Sequence, residues 1–222
     1  MVTKKADSQP QHSLHTVWNQ LAGRYCSDHA LIDRLFTEIK RKYTSSRRHY
    51  HNLQHIQALL AFSESYAGQL KDAEVVAFSI FYHDIIYNVL RKDNELRSAQ
   101  LAIKRLQALS VPPEKTEQVK RYIESTQTHA ITASVTHTDD LQLFLDFDMS
   151  ILGADWPAYE AYTRQIRREY RMYPDKVYYP GRKQFLQHCL QTEHLFQTSV
   201  FREQYEARAR ENMTQELANM PV

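Results

Sequence analysis

Three short stretches of this chain place metal-competent side chains inside apolar sequence. The sharpest is Phe81-Tyr82-His83-Asp84, which follows the run Val75-Val76-Ala77-Phe78-Ser79-Ile80 and precedes Ile85-Ile86-Tyr87. Carboxylates are seldom buried unless something pairs with them, and a bound cation is one such partner. Consecutive helical positions point about 100° apart, so His83 and Asp84 can meet one ion at their shared edge. A second stretch, Arg47-Arg48-His49-Tyr50-His51-Asn52-Leu53-Gln54-His55, puts His51 and His55 at i and i+4, on one face if the segment is helical. The third, Leu145-Asp146-Phe147-Asp148-Met149-Ser150, offers two more carboxylates in apolar company.

His83 follows His55 by 28 residues, room for one helix, a turn and most of an antiparallel second helix. The two sets can then face each other. Three helices would supply imidazole, imidazole plus carboxylate, and carboxylate. Such a mixed set suits one Mn²⁺, Fe²⁺, Co²⁺, Ni²⁺ or Zn²⁺, whereas Mg²⁺ more often takes oxygen alone. Four protein ligands leave positions on a six-coordinate ion for a water nucleophile and a phosphate oxygen. Arg47 and Arg48 flank the histidine motif and are placed to clamp a phosphate through forked hydrogen bonds.

The elements that would position these groups read as helices. Trp18, Leu21 and Tyr25 open the first; Leu31, Leu35 and Ile39 mark the second; Leu53, Ile56, Leu59 and Leu60 line the third. The fourth, roughly Asp72 to Tyr87, is apolar nearly all round and is expected at the centre. Asp93 or Asn94 can cap the next, and Pro112-Pro113 ends it and starts another. Thr126 to Asp140 is polar and reads as a loop. Helix returns from Leu141 to Leu152 and again from Pro157 to about Met172. Tyr173 to Gly181 reads as a loop bounded by proline and glycine, followed by helices from Arg182 to Phe196 and from Ser199 to about Leu217.

Composition narrows the class. The 222 residues are 42% hydrophobic and 24% charged, with a net charge of +2, which gives no strong pull toward nucleic acid or membrane. Four glycines are too few for a nucleotide-binding α/β sheet, and no GxGxxG or P-loop occurs. The two cysteines, Cys26 and Cys189, form no CxxC pair, which excludes a thiolate zinc cluster and fits a reducing, cytoplasmic setting. No run of about 18 apolar residues exists to span a bilayer. The expectation is an all-α protein. Residues 1–13 form a flexible lead-in and 14–222 a single helical domain, with a metal-site core at about 47–152 and C-terminal helices at 157–218.

The order His, then His-Asp, then Asp on successive helices resembles the HD superfamily of metal-dependent phosphohydrolases, over roughly residues 47 to 150. Tyr50-His51-Asn52-Leu53-Gln54-His55 is similar to the YHNxxH motif of cyclic-nucleotide phosphodiesterases, in which the second histidine binds metal and the first is the general acid. The resemblance thus implies His55 as ligand beside His83 and Asp84, and His51 as acid. Asp148-Met149-Ser150 is similar to the segment that supplies the last ligand there, which favours Asp148 over Asp146. The longer pattern, with Asp93-Asn94-Glu95 and Ile151-Leu152-Gly153, resembles a bacterial subgroup identified as HD-type phosphohydrolases. HD nucleotidases carry an acid near the position of Asp93 that orients the attacking water, which makes Asp93 the candidate base and Glu95 its rival.

The chain also departs from the phosphodiesterases. Ile85-Ile86-Tyr87 stands where they continue with a further Asp-His pair, so cyclic nucleotides are not favoured. Binuclear HD proteins place extra histidines where His129 and His137 lie, which leaves room for a second metal or, as an alternative activity, a di-iron oxygenase. His129 otherwise reads as a pocket residue that touches substrate, and Arg48 as the phosphate holder. The resemblance implies a small phosphate substrate, a nucleotide or a relative of one. No membrane or nucleic-acid partner is expected, and a homodimer stays open. A further alternative is a non-catalytic helical module that binds metal or a nucleotide.

Overall fold

The computed structural model describes residues 13–129 and 138–221. Among the described residues the chain forms about ten helices and no strand. The helices are α1 (Leu14–Ala22), α2 (His29–Tyr43), α3 (Leu53–Ser65), α4 (Ala73–Tyr82), α5 (Asn94–Ala108), α6 (Pro113–Ser125), α7 (Thr138–Met149), α8 (Trp156–Glu169) and α9 (Asp175–Gln191). A 3₁₀ turn, Ser150–Gly153, follows α7. The last segment begins as α10 (Ser199–Phe201), passes through a π-helical turn at Arg202–Glu206 and continues as α11 (Ala207–Ala218). No helix among the described residues is long and apolar enough to cross a membrane.

α4 is the central element, as its all-round apolar sequence predicts. Val75, Val76, Phe78, Ile80, Phe81 and Tyr82 are all fully buried. They pack against α3, α5, α6 and α7. Trp18 of α1 sets its indole edge-on to Phe78, Phe81 and Tyr82 and donates its ring N–H to the Ile32 carbonyl at 3.0 Å, which joins α1 and α2 to this core.

α4 stops at Tyr82, five residues short of the expected end at Tyr87. The backbone groups that would continue it are taken by tertiary partners. Arg48 donates to the Ile85 carbonyl at 3.0 Å, and the Ser98 hydroxyl accepts from the Ile86 N–H at 3.0 Å. A helix ends where its N–H and C=O groups find other partners. His83 therefore sits at the C-cap of α4 and Asp84 in the turn beyond it, not on consecutive helical positions.

The same principle corrects the other histidine motif. α3 begins at Leu53, capped by the Asn52 side chain, which accepts from the Gln54 N–H at 2.8 Å. His51 lies in the preceding turn, so His51 and His55 are not an i, i+4 helical pair. The supposed loop from Tyr173 to Gly181 is also helical from Asp175 onward, with Pro180 inside α9. The proline removes one helical hydrogen bond. Within this helix Tyr178 is buried beneath the Arg167 guanidinium, 4.6 Å from the ring centre. α7 starts at Thr138, ahead of the predicted Leu141. The rest of the polar stretch comprises turns at 126–129 and residues 130–137, which lie outside the described residues.

α11 packs on α9 and on the 3₁₀ turn. Asn212 donates to the Leu152 and Ala154 carbonyls, both at 2.8 Å. Gly153 meets the π-helical turn so closely that a Cβ there would lie 2.7 Å from both Cβ and the carbonyl oxygen of Tyr205. Because part of that clash is with backbone, Gly153→Ala is expected to destabilise the fold by about 1–3 kcal/mol. A thermal melt reads this as a midpoint lowered by several degrees, and an unchanged midpoint would refute the close approach.

Candidate metal centre

The turn after α4 and the first turns of α3 bring the first donors together. His55 Nε2 and His83 Nε2 face each other at 3.1 Å. Asp84 Oδ2 lies 3.1 Å from His83 Nε2 and 3.9 Å from His55 Nε2. One donor atom from each of these three residues falls within 4.8 Å of the other two. Asp148, from the last turn of α7, joins from the far side, with Oδ1 3.2 Å from His55 Nε2 and 3.7 Å from His83 Nε2. His83 Nδ1 donates to the Ile80 carbonyl at 2.9 Å, which turns Nε2 toward the cluster and fixes the ring.

The imidazoles are sealed, with side chains 2% and 1% exposed, while Asp84 and Asp148 are 17% and 15% exposed. The open side of the cluster is therefore the carboxylate side. Burial alone would lower the His83 pKa, yet the Asp84 and Asp148 carboxylates outweigh it and push it up to about 9. Burial wins at His55, whose pKa is lowered in spite of Asp148, with the His83 charge adding to the effect. Burial would raise the Asp84 carboxyl, but His83 and His51 hold it well below the usual range, and His129 and His55 do the same for Asp148. The Asp84 carboxylate and the two imidazole nitrogens, within 4.8 Å of one another and with Asp148 against the imidazoles, could hold a divalent cation.

His51 approaches from the turn before α3, with Nε2 4.0 Å from Asp84 Oδ2. Its orientation comes from Glu169, at the end of α8. Glu169 Oε1 accepts the backbone N–H groups of His49, Tyr50 and His51 at 2.7, 2.8 and 3.0 Å. Oε2 accepts from His51 Nδ1 at 2.7 Å and from the Tyr87 hydroxyl at 2.8 Å. One buried carboxylate therefore folds the turn and leaves His51 Nε2 toward the cluster. Burial would lower the His51 pKa, but Asp84 and Glu169 hold it above its ordinary value. Burial would raise Glu169, and its bonds to His51 and the turn bring it down to about 2.

A cleft of about 910 Å³ opens over this cluster. His51, Asp84, His129 and Asp148 line it, together with Tyr50, Tyr87, Tyr162, Tyr170, Tyr173 and Tyr178. His129 Nε2 lies 3.1 Å from Asp148 Oδ2. Its backbone has φ 51°, a conformation few non-glycine residues adopt. Gln197 braces it by donating to the His129 carbonyl at 3.0 Å. His137 lies outside the described residues.

Two sequence expectations are redirected. Asp93 does not line the cleft; its carboxylate is held by Arg91 at 2.7 Å and Arg97 at 2.8 Å on the surface. Its rival Glu95 does line the cleft. Arg48 also stands outside it. The guanidinium donates to the His51 and Ile85 carbonyls, both at 3.0 Å, and lies over the Tyr43 and Tyr87 rings. With its fork on two backbone carbonyls, Arg48 ties the His51 turn to the His83-Asp84 turn. Asp146 points away from the cluster and accepts the N–H groups of Gln197 and Thr198 at 2.6 and 2.8 Å, which docks the start of α10 on α7.

Glu169 escaped the sequence reading, although its signal was present. Tyr159, Tyr162, Ile166 and Glu169 are the buried positions of α8, so a carboxylate occupies the helix's apolar stripe. The chain matches no protein-family model, no curated protein and no solved structure.

Proposed function

We propose that this protein is a metal-dependent phosphohydrolase of the HD type, acting on a phosphoester of a small molecule. The observation that carries the reading is the convergence of His55, His83 and Asp84, flanked by Asp148, beside a cleft that Asp84, Asp148 and His51 line. The motif resemblance adds the expected chemistry. A divalent ion held there would supply Lewis acidity and a water of lowered pKa. His51, with Nδ1 committed to Glu169, offers Nε2 to protonate the leaving oxygen. Glu95, on the cleft wall, is the better-placed carboxylate to orient the attacking water.

The cleft also suggests the size and charge of the substrate. Its one guanidinium among the described residues, Arg182, is buried and paired with Glu216 at 2.8 Å. Residues 130–137 contain no lysine or arginine. Tyrosine walls without free cations suit one phosphate on a flat body, such as a nucleoside monophosphate or an aryl phosphate, over a triphosphate.

The test is elemental analysis followed by a phosphoester panel with Mn²⁺, Co²⁺, Ni²⁺ and Mg²⁺. Monophosphates are expected to turn over at least about tenfold faster than triphosphates, a difference of ~1.4 kcal/mol. Metal-loaded protein that cleaves no phosphoester would end the hydrolase reading. The contact between His129 and Asp148 favours a second reading, a di-iron oxygenase, which requires two irons per chain and loss of iron in His129→Ala.

A further inference from the structure

A second cleft, of about 660 Å³, shares Tyr87 with the first. Besides Arg48, whose fork is taken by the His51 and Ile85 carbonyls, three separate segments bring cations to it: Arg41 and Lys42 from the last turn of α2, Arg47 from the turn before α3, and Arg171 from the turn after α8. None of the four forms an ion pair or side-chain hydrogen bond among the described residues. The acid nearest on their own helix, Glu38, is already forked by Arg105 at 2.7 and 3.0 Å. The one acidic residue in the lining, Glu169, is buried and turned toward His51 and Tyr87.

Basic residues at the end of α2 complement the negative pole of that helix. This accounts for Arg41 and Lys42, and the end of α8 does the same for Arg171, but neither helix end accounts for Arg47 or for the delivery of all four to one concavity. With a net charge of only +2, the chain concentrates this positive field locally. Glu38 offers Arg41 and Lys42 only a charge it shares with Arg105, like charges gathered in one concavity repel one another, and guanidinium forks match phosphate oxygens.

We infer that this cleft binds a compact polyanion carrying two or more phosphate groups, at a site distinct from the metal cluster. Ser45 and Asn88 add neutral polar groups to its wall, and Leu90 and Met172, 60% and 67% exposed, form an apolar lip. The site stands independently of the hydrolase reading, since none of the cluster's four candidate ligands lines it.

Calorimetric titration with inorganic tripolyphosphate at physiological ionic strength tests the inference, with Arg41→Glu/Arg171→Glu and His55→Ala as variants. Both arginines are exposed, so their reversal should leave the fold intact by circular dichroism. Saturable binding by the parent chain is expected, weakened at least about tenfold in the double variant and retained in His55→Ala. The His55→Ala arm separates this cleft from chelation of metal at the cluster. No saturable binding, undiminished binding by the charge-reversed protein, or loss on removing His55 would each overturn the site.

Discussion

His55→Ala is expected to leave the protein without bound metal and to cut phosphoester turnover by about 10³-fold or more. A Lewis acid contributes several kcal/mol of transition-state stabilisation, and ~4 kcal/mol corresponds to about 10³-fold in rate. His55 Nε2 lies 3.1 Å from His83 and 3.2 Å from Asp148, so its removal takes away the donor shared by both halves of the cluster. Asp84→Asn should behave alike, because it neutralises a carboxylate on the cluster's open side. His51→Ala should differ in kind. It should keep the metal and lose about 10²–10⁴-fold in rate, the ordinary worth of a general acid. Metal content and turnover measured on the three variants separate ligand from acid. Metal retained at parental stoichiometry in His55→Ala would remove the basis of the proposed site.

Glu169→Ala is expected to cost about 3–5 kcal/mol of stability. The alanine would strand three backbone N–H groups, the His51 ring and the Tyr87 hydroxyl in a buried place, and groups left without partners there are costly. Glu169→Gln tests the charge by itself. The carboxyl is held at about 2, against an ordinary value of 4.5. A depressed pKa contributes stability that is present above the unfolded value and is lost as the pH falls through the folded one. The difference amounts to about 3 kcal/mol, lost between roughly pH 5 and pH 2. Urea denaturation across that window should show a steep decline for the parent chain and a flatter one for Glu169→Gln. Parallel curves would mean that the carboxylate is not the keystone of the turn.

The helical class was legible because period and burial agree along most of the chain. The stretch from Val75 to Tyr82 is apolar all round, and it became the central helix. The cluster was legible as well. His55, His83 and Asp84 are polar residues in apolar surroundings, and burying them needs a shared reason. The end of α4 at Tyr82 misled, where long-range hydrogen bonds replace helical ones, and so did the start of α9 at Asp175, ahead of Pro180. Periodicity reports which face of a helix is apolar, but carries no information on a partner such as Ser98 or Arg48 that ends it.

Asp93 and Arg48 show the same boundary between local and distant information. The family resemblance made Asp93 the candidate base, and proximity to the histidine motif made Arg48 the candidate phosphate clamp. Their side chains instead met Arg91 and Arg97 in one case and the carbonyls of two site-bearing turns in the other. Glu169 is the converse case, 118 residues from His51 and yet the group that orients it.

The amino-acid order alone determined the helical class and the donor types at the cluster, since both follow from local chemistry repeated along the chain. Only the folded arrangement decided which residues support those donors and where the free cations gather. Both depend on hydrogen bonds and charges brought together by segments far apart in sequence, and local patterning does not encode such meetings.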